Sequence, residues 1–451
     1  MRSVAFLTYF FPPIGGGGTP RTTKFVKYLP QYGYRPVIVG VEASGREFIR
    51  EFQPDDSPLA ELDPATYDVL RVPDPSTSRL RRNLAQSRLF PLAWAIAYPW
   101  LHDPQRSWAF IAARRLLNSP QRQDIRLVYV SAAPMGALEA GRWLARSLGV
   151  PWVADLRDLW TPDTFRAFPS RLHYAWAQRL ERRVLQSADA IIANTPLSAV
   201  RIQELVGTPA ADRVVVIPNG FDPDEVPNQP RPRRAPGSPI TIVHAGTLYD
   251  PGIRRSRPGR YFPAALNDEA RSPLPIARAL ARLGRTDPAA AARFRLRLIG
   301  YVPEFSRRAL AELGVSTSVT CEGSVPRAAA VAAEQEADAQ LVVQVAWDQP
   351  ERPMPYVPGK VYEALATGSP VLAPVGPGDL LDLLRQTPQA YVCDYRDPAE
   401  IAATMLRLAE DLDAGRAEKS DPAWLAQFDR RHLTATLAKT FDALIGSTNS
   451  T

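Results

Sequence analysis

The chain has 451 residues, about three times the commonest size of a single domain, and 45% of them are hydrophobic and 22% charged. These values are ordinary for a globular protein; they exclude disorder along the whole chain and provide apolar material for two cores. Lys and Arg number 54 against 47 Asp and Glu, and the resulting net charge of +7 is too mild to indicate a dedicated nucleic-acid binder.

Cysteine and histidine are scarce, which excludes a multi-cysteine metal site. The two cysteines, Cys321 and Cys393, cannot form a disulfide framework, and they fit a reducing, cytoplasmic location. The four histidines include no pair at HxxxH or HExxH spacing, which excludes a zinc protease. The sequence predicts neither a metal ion nor a bound cofactor, and it has no apolar run of the roughly 20 residues that a membrane-spanning helix needs.

The first half of the chain predicts strands that alternate with helices. A β-prone opening runs into the glycine loop Gly15–Gly18, and Thr19 and Pro20 are typical of the N-cap and the first residue of a helix. Strands are predicted at 4–9, 37–41, 127–130, 152–154, 190–193 and 214–217, with further helices over about 135–148 and 174–187. The strands are short and continuously apolar, as in a parallel sheet that is covered on both faces.

A second domain is predicted beyond a linker. Residues 225–239 hold five prolines and three arginines without an apolar face, so the boundary is placed there. Strands are then predicted at 240–244, 294–300, 319–323, 339–343 and 371–373, with helices from about 276 and 360 and a final amphipathic helix. The polar segment 250–272 is predicted to be an excursion of the chain from the second domain. The fold class is therefore α/β: two doubly wound parallel sheets, expected to face each other across a ligand-binding cleft.

Two patterns are candidates for binding phosphate. The loop Gly15–Gly18 (Gly15, Gly16, Gly17 and Gly18) would let a ligand approach the backbone at the positive end of a helix, although a plain flexible turn fits the same residues equally well. Lys360 and Glu363 lie three residues apart at a predicted helix start and would point from one face. The lysine could contact phosphates and the carboxylate could accept both hydroxyls of a ribose. The alternative is a solvated ion pair, which such spacing usually gives.

Charged residues and lone histidines also stand where strands are predicted to end. Asp155, Arg157 and Asp158 follow a buried strand, at the place where the functional groups of parallel sheets collect. A salt-bridged loop is the alternative. His244 closes another predicted strand, and His102 lies in the turn Trp-Leu-His-Asp-Pro. Either histidine could face the cleft or be a core residue.

Residues 76–126 carry nine arginines and two acidic residues around an apolar, aromatic stretch, Leu89 to Leu101. That composition suits peripheral contact with an anionic surface, such as the inner face of a membrane. The alternative is a helical region that packs on the first domain with its arginines in water. Two prolines in the stretch favour this alternative, because they spoil a long amphipathic helix.

Six motifs in chain order resemble those of the GT-B glycosyltransferases around glycosyltransferase family 4, and the resemblance covers nearly the whole chain. They are YFFPPIGGG (9–17), PWVADLRDLW (151–160), ADAIIANT (188–195), VIPNGFD (216–222), HAGTL (244–248) and GKVYEALATGSPV (359–371). The resemblance implies an acceptor-binding domain, 1–224, and a nucleotide-sugar-binding domain, 240–422. It also implies that 423–451 ends in a helix that returns to the first domain.

The activity that the resemblance implies is metal-independent transfer of a sugar, with retention at the anomeric carbon. The donor is a nucleoside-diphosphate sugar, and the acceptor is a glycan, a lipid-linked intermediate or a small molecule. Glu363 would hold the donor ribose, while Gly246, Thr247, Lys360 and the N–H groups near Val361 would stabilise the departing diphosphate. The glycine loop would face the donor phosphates or the acceptor.

Two positions depart from the family pattern. Pro355 stands where many members have a glutamate that contacts the sugar, and Ala132 lies in a segment where many members have a histidine. The catalytic role is therefore assigned to the neighbouring strand end, at Asp155, Arg157 and Asp158. These departures leave two alternatives open: a nucleotide-sugar epimerase or sugar-phosphate synthase on the same fold, and a non-catalytic scaffold.

Overall fold

The computed structural model describes residues 1–43, 55–75, 90–161, 166–226, 235–250, 261–263 and 265–448. Two compact units divide the chain. The first unit is Met1–Asn219, Gly259–Pro263 and Arg430–Thr451, and the second unit is Gly220–Pro258 and Ala264–Asp429. The first unit is interrupted after Asn219, whereas the sequence predicted that the first domain ends at residue 224. Residues 227–234 of the predicted linker lie outside the described residues.

Seven parallel strands form the sheet of the first unit. They are β1 (Arg2–Thr8), β2 (Tyr34–Val41), β3 (Asp68–Val72), β4 (Ile125–Ala132), β5 (Trp152–Leu156), β6 (Ala190–Ala193) and β7 (Val214–Val216). Their order across the sheet is β3-β2-β1-β4-β5-β6-β7. The sheet grows outward in both directions from β1, so the chain crosses over the sheet between β3 and β4.

Helices connect these strands. They are α1 (Thr19–Tyr28), α2 (Phe90–Leu101), α3 (Arg106–Leu117), α4 (Gly136–Leu148), α5 (Arg171–Leu185) and α6 (Pro196–Val206). Helix α1 begins one residue before the position expected for its first turn, because Gly18 is the N-cap and Thr19 is already helical. The hydroxyl of Thr19 donates instead to the carbonyl oxygen of Ile14 at 2.6 Å.

The second unit repeats the design with six parallel strands. They are β8 (Ile240–Ala245), β10 (Phe294–Ile299), β11 (Val319–Gly323), β12 (Ala339–Leu341), β14 (Val371–Val375) and β15 (Ala390–Asp394). Their order is β11-β10-β8-β12-β14-β15. Two short strands, β9 (Leu266–Asn267) and β13 (Ala346–Trp347), form a separate antiparallel pair.

The remaining helices follow in chain order. They are α7 (Leu274–Thr286), α8 (Pro288–Ala291), α9 (Glu304–Glu312), α10 (Arg327–Glu336), α11 (Gly359–Ala366), α12 (Asp379–Leu384), α13 (Pro398–Asp413), α14 (Pro422–Leu425) and α15 (Arg430–Thr448). Helix α15 belongs to the first unit. Among the helices of the described residues, none has both the length and the apolar character needed to span a bilayer.

Each face of the first sheet has its own apolar core. Alternate strand residues, such as Ala5 and Leu7, pack with α3, α4, α5 and α6, whereas Val4 and Phe6 pack with α1 and α15. Because successive side chains of a strand point to opposite faces, burial on both faces requires continuous apolar runs. The second sheet is likewise covered on both faces, by α7 and α13 on one and by α11 and α12 on the other. The structure therefore confirms the prediction of two parallel-sheet α/β domains.

Candidate functional site

Each sheet has one point at which the order of strands reverses. In the first unit it lies between β1 and β4, and in the second between β8 and β12. Doubly wound sheets bind ligands beyond the carboxyl ends of the strands at this point, because the helices on its two sides diverge there. Most of the residues singled out in the sequence lie at one of these two points.

The first unit has a pocket of about 380 Å³ at its reversal point. Tyr9 and Phe10 follow β1 and contribute one wall, and Ala133 and Pro134 follow β4 and contribute another. The other lining side chains come from the end of α2, the turn before α3 and the segment before α5: Tyr98, His102, Asp103, Pro104, Gln105, Arg166 and Ala167. Aromatic rings and a few charged groups thus share the lining, as in pockets for amphipathic ligands such as sugars.

His102 is a buried residue in the wall of this pocket. Its Nε2 lies 2.9 Å from Oε1 of Glu139, and its ring stacks at 6.1 Å on that of Trp160. Arg106 contacts the same carboxylate at 3.0 Å. Burial acts to raise the pKa of Glu139, but the nearby His102 and Arg106 outweigh it and hold that pKa below its ordinary value. His102 therefore lines the pocket in a fixed position.

Asp103 is fixed by backbone groups. Its carboxylate accepts hydrogen bonds from the N–H groups of Met135 at 2.7 Å and of Gly136 at 3.2 Å, at the start of α4. It also accepts from the N–H of Gln105 at 2.9 Å, and Arg166 lies 3.7 Å away. A carboxylate at a helix N-terminus is stabilised by the exposed N–H groups there. Asp103 thus joins the pocket wall to α4, a role that the sequence pattern did not reveal.

Asp155 is completely buried, and its carboxylate is occupied. Arg21 of α1 donates to it from Nε at 2.8 Å and from Nη2 at 3.1 Å, and the hydroxyl of Tyr129 donates a third hydrogen bond. Burial and the negative charge of Asp155 raise the pKa of Tyr129 well above its ordinary value. A side chain without exposed surface cannot touch a substrate, so the expected catalytic contact of Asp155 is not available in this structure. It holds α1 in place instead.

Arg157 joins the ends of β4 and β5 to the glycine loop. Its guanidinium donates to the carbonyl oxygens of Ala132 at 2.9 Å and of Ala133 at 3.1 Å. A Cβ atom on Gly18 would lie 1.7 Å from its Nη1, so only a glycine leaves room for the guanidinium there. Burial lowers the pKa of Arg157, yet a guanidinium keeps its charge in proteins. Arg157 and the glycine loop, which the sequence predicted as two separate candidate sites, therefore lie next to each other in the structure.

The other members of these two groups remain near the surface. Asp158 is exposed, and its negative charge favours the charged form of Arg157. In the loop, Gly16 and Gly17 are exposed, and Gly16 has a φ of +119°, a conformation that favours glycine. The loop leads directly into the N-terminus of α1. It is therefore accessible to a ligand at the positive end of that helix.

His244 lies at the reversal point of the second sheet. Its Nδ1 is 3.0 Å from the carbonyl oxygen of Leu341 at the end of β12, so Nδ1 carries the proton and Nε2 the lone pair. Nε2 is buried and has no hydrogen-bond partner among the described residues. Burial, together with the positive charges of Lys360 and Arg271, lowers the pKa of His244 to about 4. The imidazole is therefore neutral at pH 7 and presents one hydrogen-bond acceptor.

The strand ends around His244 approach each other closely. The N–H of Gly246 donates to the carbonyl oxygen of Ile299 at 2.8 Å, and a Cβ on Gly300 would lie 2.3 Å from the carbonyl oxygen of Gly246. Gly300 also has a φ of +113°. Only glycine tolerates both this close approach and this positive φ, and the sequence did not predict a role for Gly300. A Cβ on Gly246 would lie 3.3 Å from Nε2 of His244, and the next residue, Thr247, is exposed.

Lys360 and Glu363 extend from the first turn of α11, as their spacing predicted. The side chain of Lys360 is about half exposed, and its Nζ lies 3.5 Å from Oε1 of Glu334 on α10. Burial and the charge of Glu363 raise the pKa of Glu334, while Lys360 opposes them. Glu334 thus contacts Lys360 directly and also lies within electrostatic reach of Glu363. Glu334 was missed because nothing in the alanine-rich sequence of α10 marks it.

The N–H of Val361, which was expected to contact the diphosphate, donates to the carbonyl oxygen of Pro358 at 3.1 Å, and the Val361 side chain is buried. Pro355, which departs from the glutamate that many family members have, precedes the helix and is buried as well. The segment 250–272 lies partly outside the described residues. Its Tyr261 exchanges two backbone hydrogen bonds, of 2.7 and 2.8 Å, with Phe168 in the first unit.

Residues 16–220 match the family model described as "Glycosyl transferase 4-like domain". This segment is a glycosyl transferase 4-like domain. No match was found among curated proteins. The match includes Gly16–Gly18, Arg157 and all of the pocket lining except Tyr9 and Phe10.

Solved structures resemble the chain over nearly its whole length. HepE (Alr3699) from Anabaena, solved with UDP and glucose, is 16% identical, with a TM-score of 0.58 over 98% of this chain and 100% of that one. Sucrose-phosphate synthase from Thermosynechococcus elongatus is 14% identical, with a TM-score of 0.64 over 99% and 100%. WaaG, a glycosyltransferase of lipopolysaccharide biosynthesis, is 17% identical, with a TM-score of 0.53 over 98% and 100%. These likenesses confirm the GT-B fold that the motifs implied.

Proposed function

We propose that this chain transfers a sugar from a nucleoside-diphosphate sugar to an acceptor, with retention at the anomeric carbon. The observation that carries the proposal is the group at the reversal point of the second sheet. There a neutral histidine, whose Nε2 has no partner among the described residues, occurs together with two closely approaching glycines and with Lys360, which contacts the carboxylate of Glu334. The glycosyl transferase 4-like domain and solved GT-B structures with UDP or UDP-sugar ligands support the same activity.

The donor is held by the second unit. Glu363 accepts the ribose hydroxyls, since its carboxylate is partly exposed on the first turns of α11. Nε2 of His244 accepts a hydrogen bond from a hydroxyl of the donor, which would pair an atom that the described part of the chain leaves without a partner. The backbone of Gly246 and Thr247 lets the diphosphate come close to the strand end.

Lys360 stabilises the negative charge that develops on the departing diphosphate during transfer. As the bond between the anomeric carbon and the diphosphate oxygen breaks, that oxygen keeps the electron pair, and Lys360 stabilises it electrostatically. The acceptor oxygen forms the new bond on the same face of the sugar, and its proton passes to the departing diphosphate. Glu334 is a positioning residue in this scheme, because its contact at 3.5 Å fixes Lys360 before the donor binds.

The acceptor is held by the first unit. Tyr9, Phe10 and Tyr98 offer aromatic faces to the apolar side of a sugar ring, and His102 and Arg166 offer polar groups. A volume of about 380 Å³ suits one or two sugar residues or a molecule of similar size. Arg157 and the glycine loop complete this end of the unit. We therefore propose a glycan, lipid-linked or small sugar acceptor.

The donor part of this proposal is tested by binding. The full chain is titrated with a panel of nucleoside-diphosphate sugars and followed by thermal stabilisation, and the best ligand is then measured by calorimetry. Glu363→Ala and Lys360→Ala should each weaken binding about tenfold or more, because a charge-assisted hydrogen bond contributes about 1.5–3 kcal/mol. Glu410→Ala and Lys439→Ala, exposed residues on α13 and α15, are the matched controls and should bind normally.

Unchanged nucleotide affinity in a folded Glu363→Ala protein would contradict the donor assignment. Transfer is tested separately by nucleoside-diphosphate release. Release that depends on an added acceptor supports a transferase, whereas product formation without an acceptor supports an epimerase. Binding without turnover for any acceptor in a broad glycan and sugar-phosphate panel would favour the scaffold alternative.

A further inference from the structure

Helix α2 presents an unusual row of apolar side chains to solvent. Leu92, Ile96 and Trp100 are 64%, 67% and 67% exposed, and their spacing of four residues places them on one face of the helix. Single exposed apolar residues are common, but a continuous row of large ones marks a binding surface. Residues 76–89, which precede this helix in the arginine-rich stretch 76–126, lie outside the described residues.

The opposite face of α2 is firmly packed. The ring of Tyr98 lies 5.8 Å from that of Trp94 and 6.0 Å from that of Trp176 on α5. Nε2 of His173, at the start of α5, lies 2.9 Å from the carbonyl oxygen of Ala95. These contacts fix α2 against α5. Because the opposite face is packed against α5, the row of Leu92, Ile96 and Trp100 faces the solvent.

The three helices that follow α2 in the first unit are strongly basic. Helices α3, α4 and α5 carry nine arginines but only two carboxylates, Glu139 and Glu181. Glu139 contacts His102 and Arg106, and Glu181 is 1% exposed and accepts the N–H of Thr161 at 3.0 Å. Both carboxylates thus face inward. The outward charge of these three helices comes from arginine alone.

Several of these arginines lie close to one another. Burial and the positive charges of Arg146 and Arg183 lower the pKa of Arg142, so α4 and α5 bring like charges together on their outer side. Arg179 is exposed on α5 as well. Other large apolar side chains of the same helices are exposed: Ile111, Trp143 and Leu172, at 47%, 38% and 81%. Concentrated positive charge beside exposed apolar rings and chains is typical of proteins that rest on lipid.

We propose that the outer side of α2, α3, α4 and α5, here called the α2–α5 surface, docks on an anionic lipid bilayer. The row on α2 enters the boundary between headgroups and acyl chains, where tryptophan is favoured, and the arginines contact lipid phosphates. A nucleic acid would use the arginines but would leave the apolar row in water. A second copy of the chain would oppose arginine with arginine. The bilayer is the partner that satisfies both features.

A vesicle sedimentation assay with the full chain tests the proposal. The protein should pellet with vesicles of phosphatidylcholine and phosphatidylglycerol but remain in the supernatant with phosphatidylcholine alone. Binding should fall steeply between about 0.1 M and 1 M salt, because the Debye length shrinks from about 10 Å to about 3 Å. Equal partitioning to both kinds of vesicle, absence from both, or binding that salt leaves unchanged would each overturn the proposal.

Matched variants separate the surface from the overall charge of the chain. Arg146→Gln with Arg179→Gln should weaken binding to anionic vesicles about 25-fold, at about fivefold for each arginine near a membrane. Arg282→Gln with Arg285→Gln removes the same charge from exposed positions of α7 in the second unit and should leave binding unchanged. Equal losses for the two pairs would mean that net charge alone is responsible, which contradicts a defined surface.

The apolar row has its own variant pair. Ile96→Ser with Trp100→Ser should reduce vesicle binding at least tenfold, since two exposed apolar side chains no longer enter the bilayer. Val200→Ser, at an exposed apolar position on α6, is the control and should bind as the parent does. Far-UV circular dichroism verifies that each variant is folded. Undiminished binding of the double variant would contradict insertion of α2. Because the assay needs neither donor nor acceptor, its outcome is independent of the proposed transfer reaction.

Discussion

His244 should make the stability of the protein depend on pH in a way that a single substitution removes. Its pKa is about 4 in the folded chain, against an ordinary value of 6.5, so the unfolded chain binds the proton more tightly between these values. Stability that is fully present above pH 6.5 is therefore lost as the pH falls toward 4. A pKa difference of this size corresponds to about 3 kcal/mol in full, and most of it is lost by about pH 4.5.

The test compares the parent with His244→Asn. Asparagine keeps a side-chain N–H that can donate to the carbonyl oxygen of Leu341, but it does not titrate in this range. Free energies of unfolding, measured by denaturant at a series of pH values, should fall more steeply for the parent. The difference between the two proteins should change by about 2–3 kcal/mol between pH 7 and pH 4.5. Parallel curves would refute the argument, because they would mean that folding does not disfavour the charged imidazole.

Other substitutions test the ion pair, the glycine loop and the expected independence from metal. Asp155→Asn should lower the free energy of unfolding by about 3–5 kcal/mol, because it leaves the guanidinium of Arg21 buried without its counter-charge; a loss below about 1 kcal/mol in denaturant unfolding would contradict this. Gly18→Ala should displace the guanidinium of Arg157 and raise the acceptor KM about tenfold. Gly17→Ala, whose Cβ would meet nothing within 4 Å, should leave the acceptor KM unchanged in the same steady-state assay. Turnover should survive excess chelator; activity lost on chelation and restored by magnesium or manganese would contradict a charge balance supplied by the chain itself.

The fold was largely predictable because both sheets are covered on both faces. In strand β1, Val4 and Ala5 are buried in different cores, so the strand is a continuous apolar run in the sequence. Strands β4 and β8 are also largely buried on both faces. Helix α6 was missed although Thr195 caps it and Pro196 begins it, the same signal that was recognised at α1. Strand β15 was missed because its burial alternates and its apolar pattern is short.

The site was predictable only where its residues are neighbours in sequence. Lys360 and Glu363 share a helical turn, so their common face follows from spacing alone. Glu334 lies 3.5 Å from Lys360, but no local pattern links the two residues. Arg21 and Asp155 are 134 positions apart, and only the packing of α1 against the sheet brings them together. Asp155 stood at a strand end as expected, yet the sequence contained no sign that a buried arginine would occupy its carboxylate.

The two reversal points differ in which of their charged groups can still bind a ligand. In the first unit, the carboxylates of Asp103, Glu139 and Asp155 are already held by backbone N–H groups, by His102 and Arg106, or by Arg21. Recognition there must come mainly from the shape and the aromatic faces of the pocket. In the second unit, Nε2 of His244 has no partner among the described residues, and Lys360 is half exposed. Substitutions in the pocket should therefore change the acceptor KM, whereas those around His244 should change donor affinity, and a kinetic matrix of donor against acceptor concentration separates the two effects.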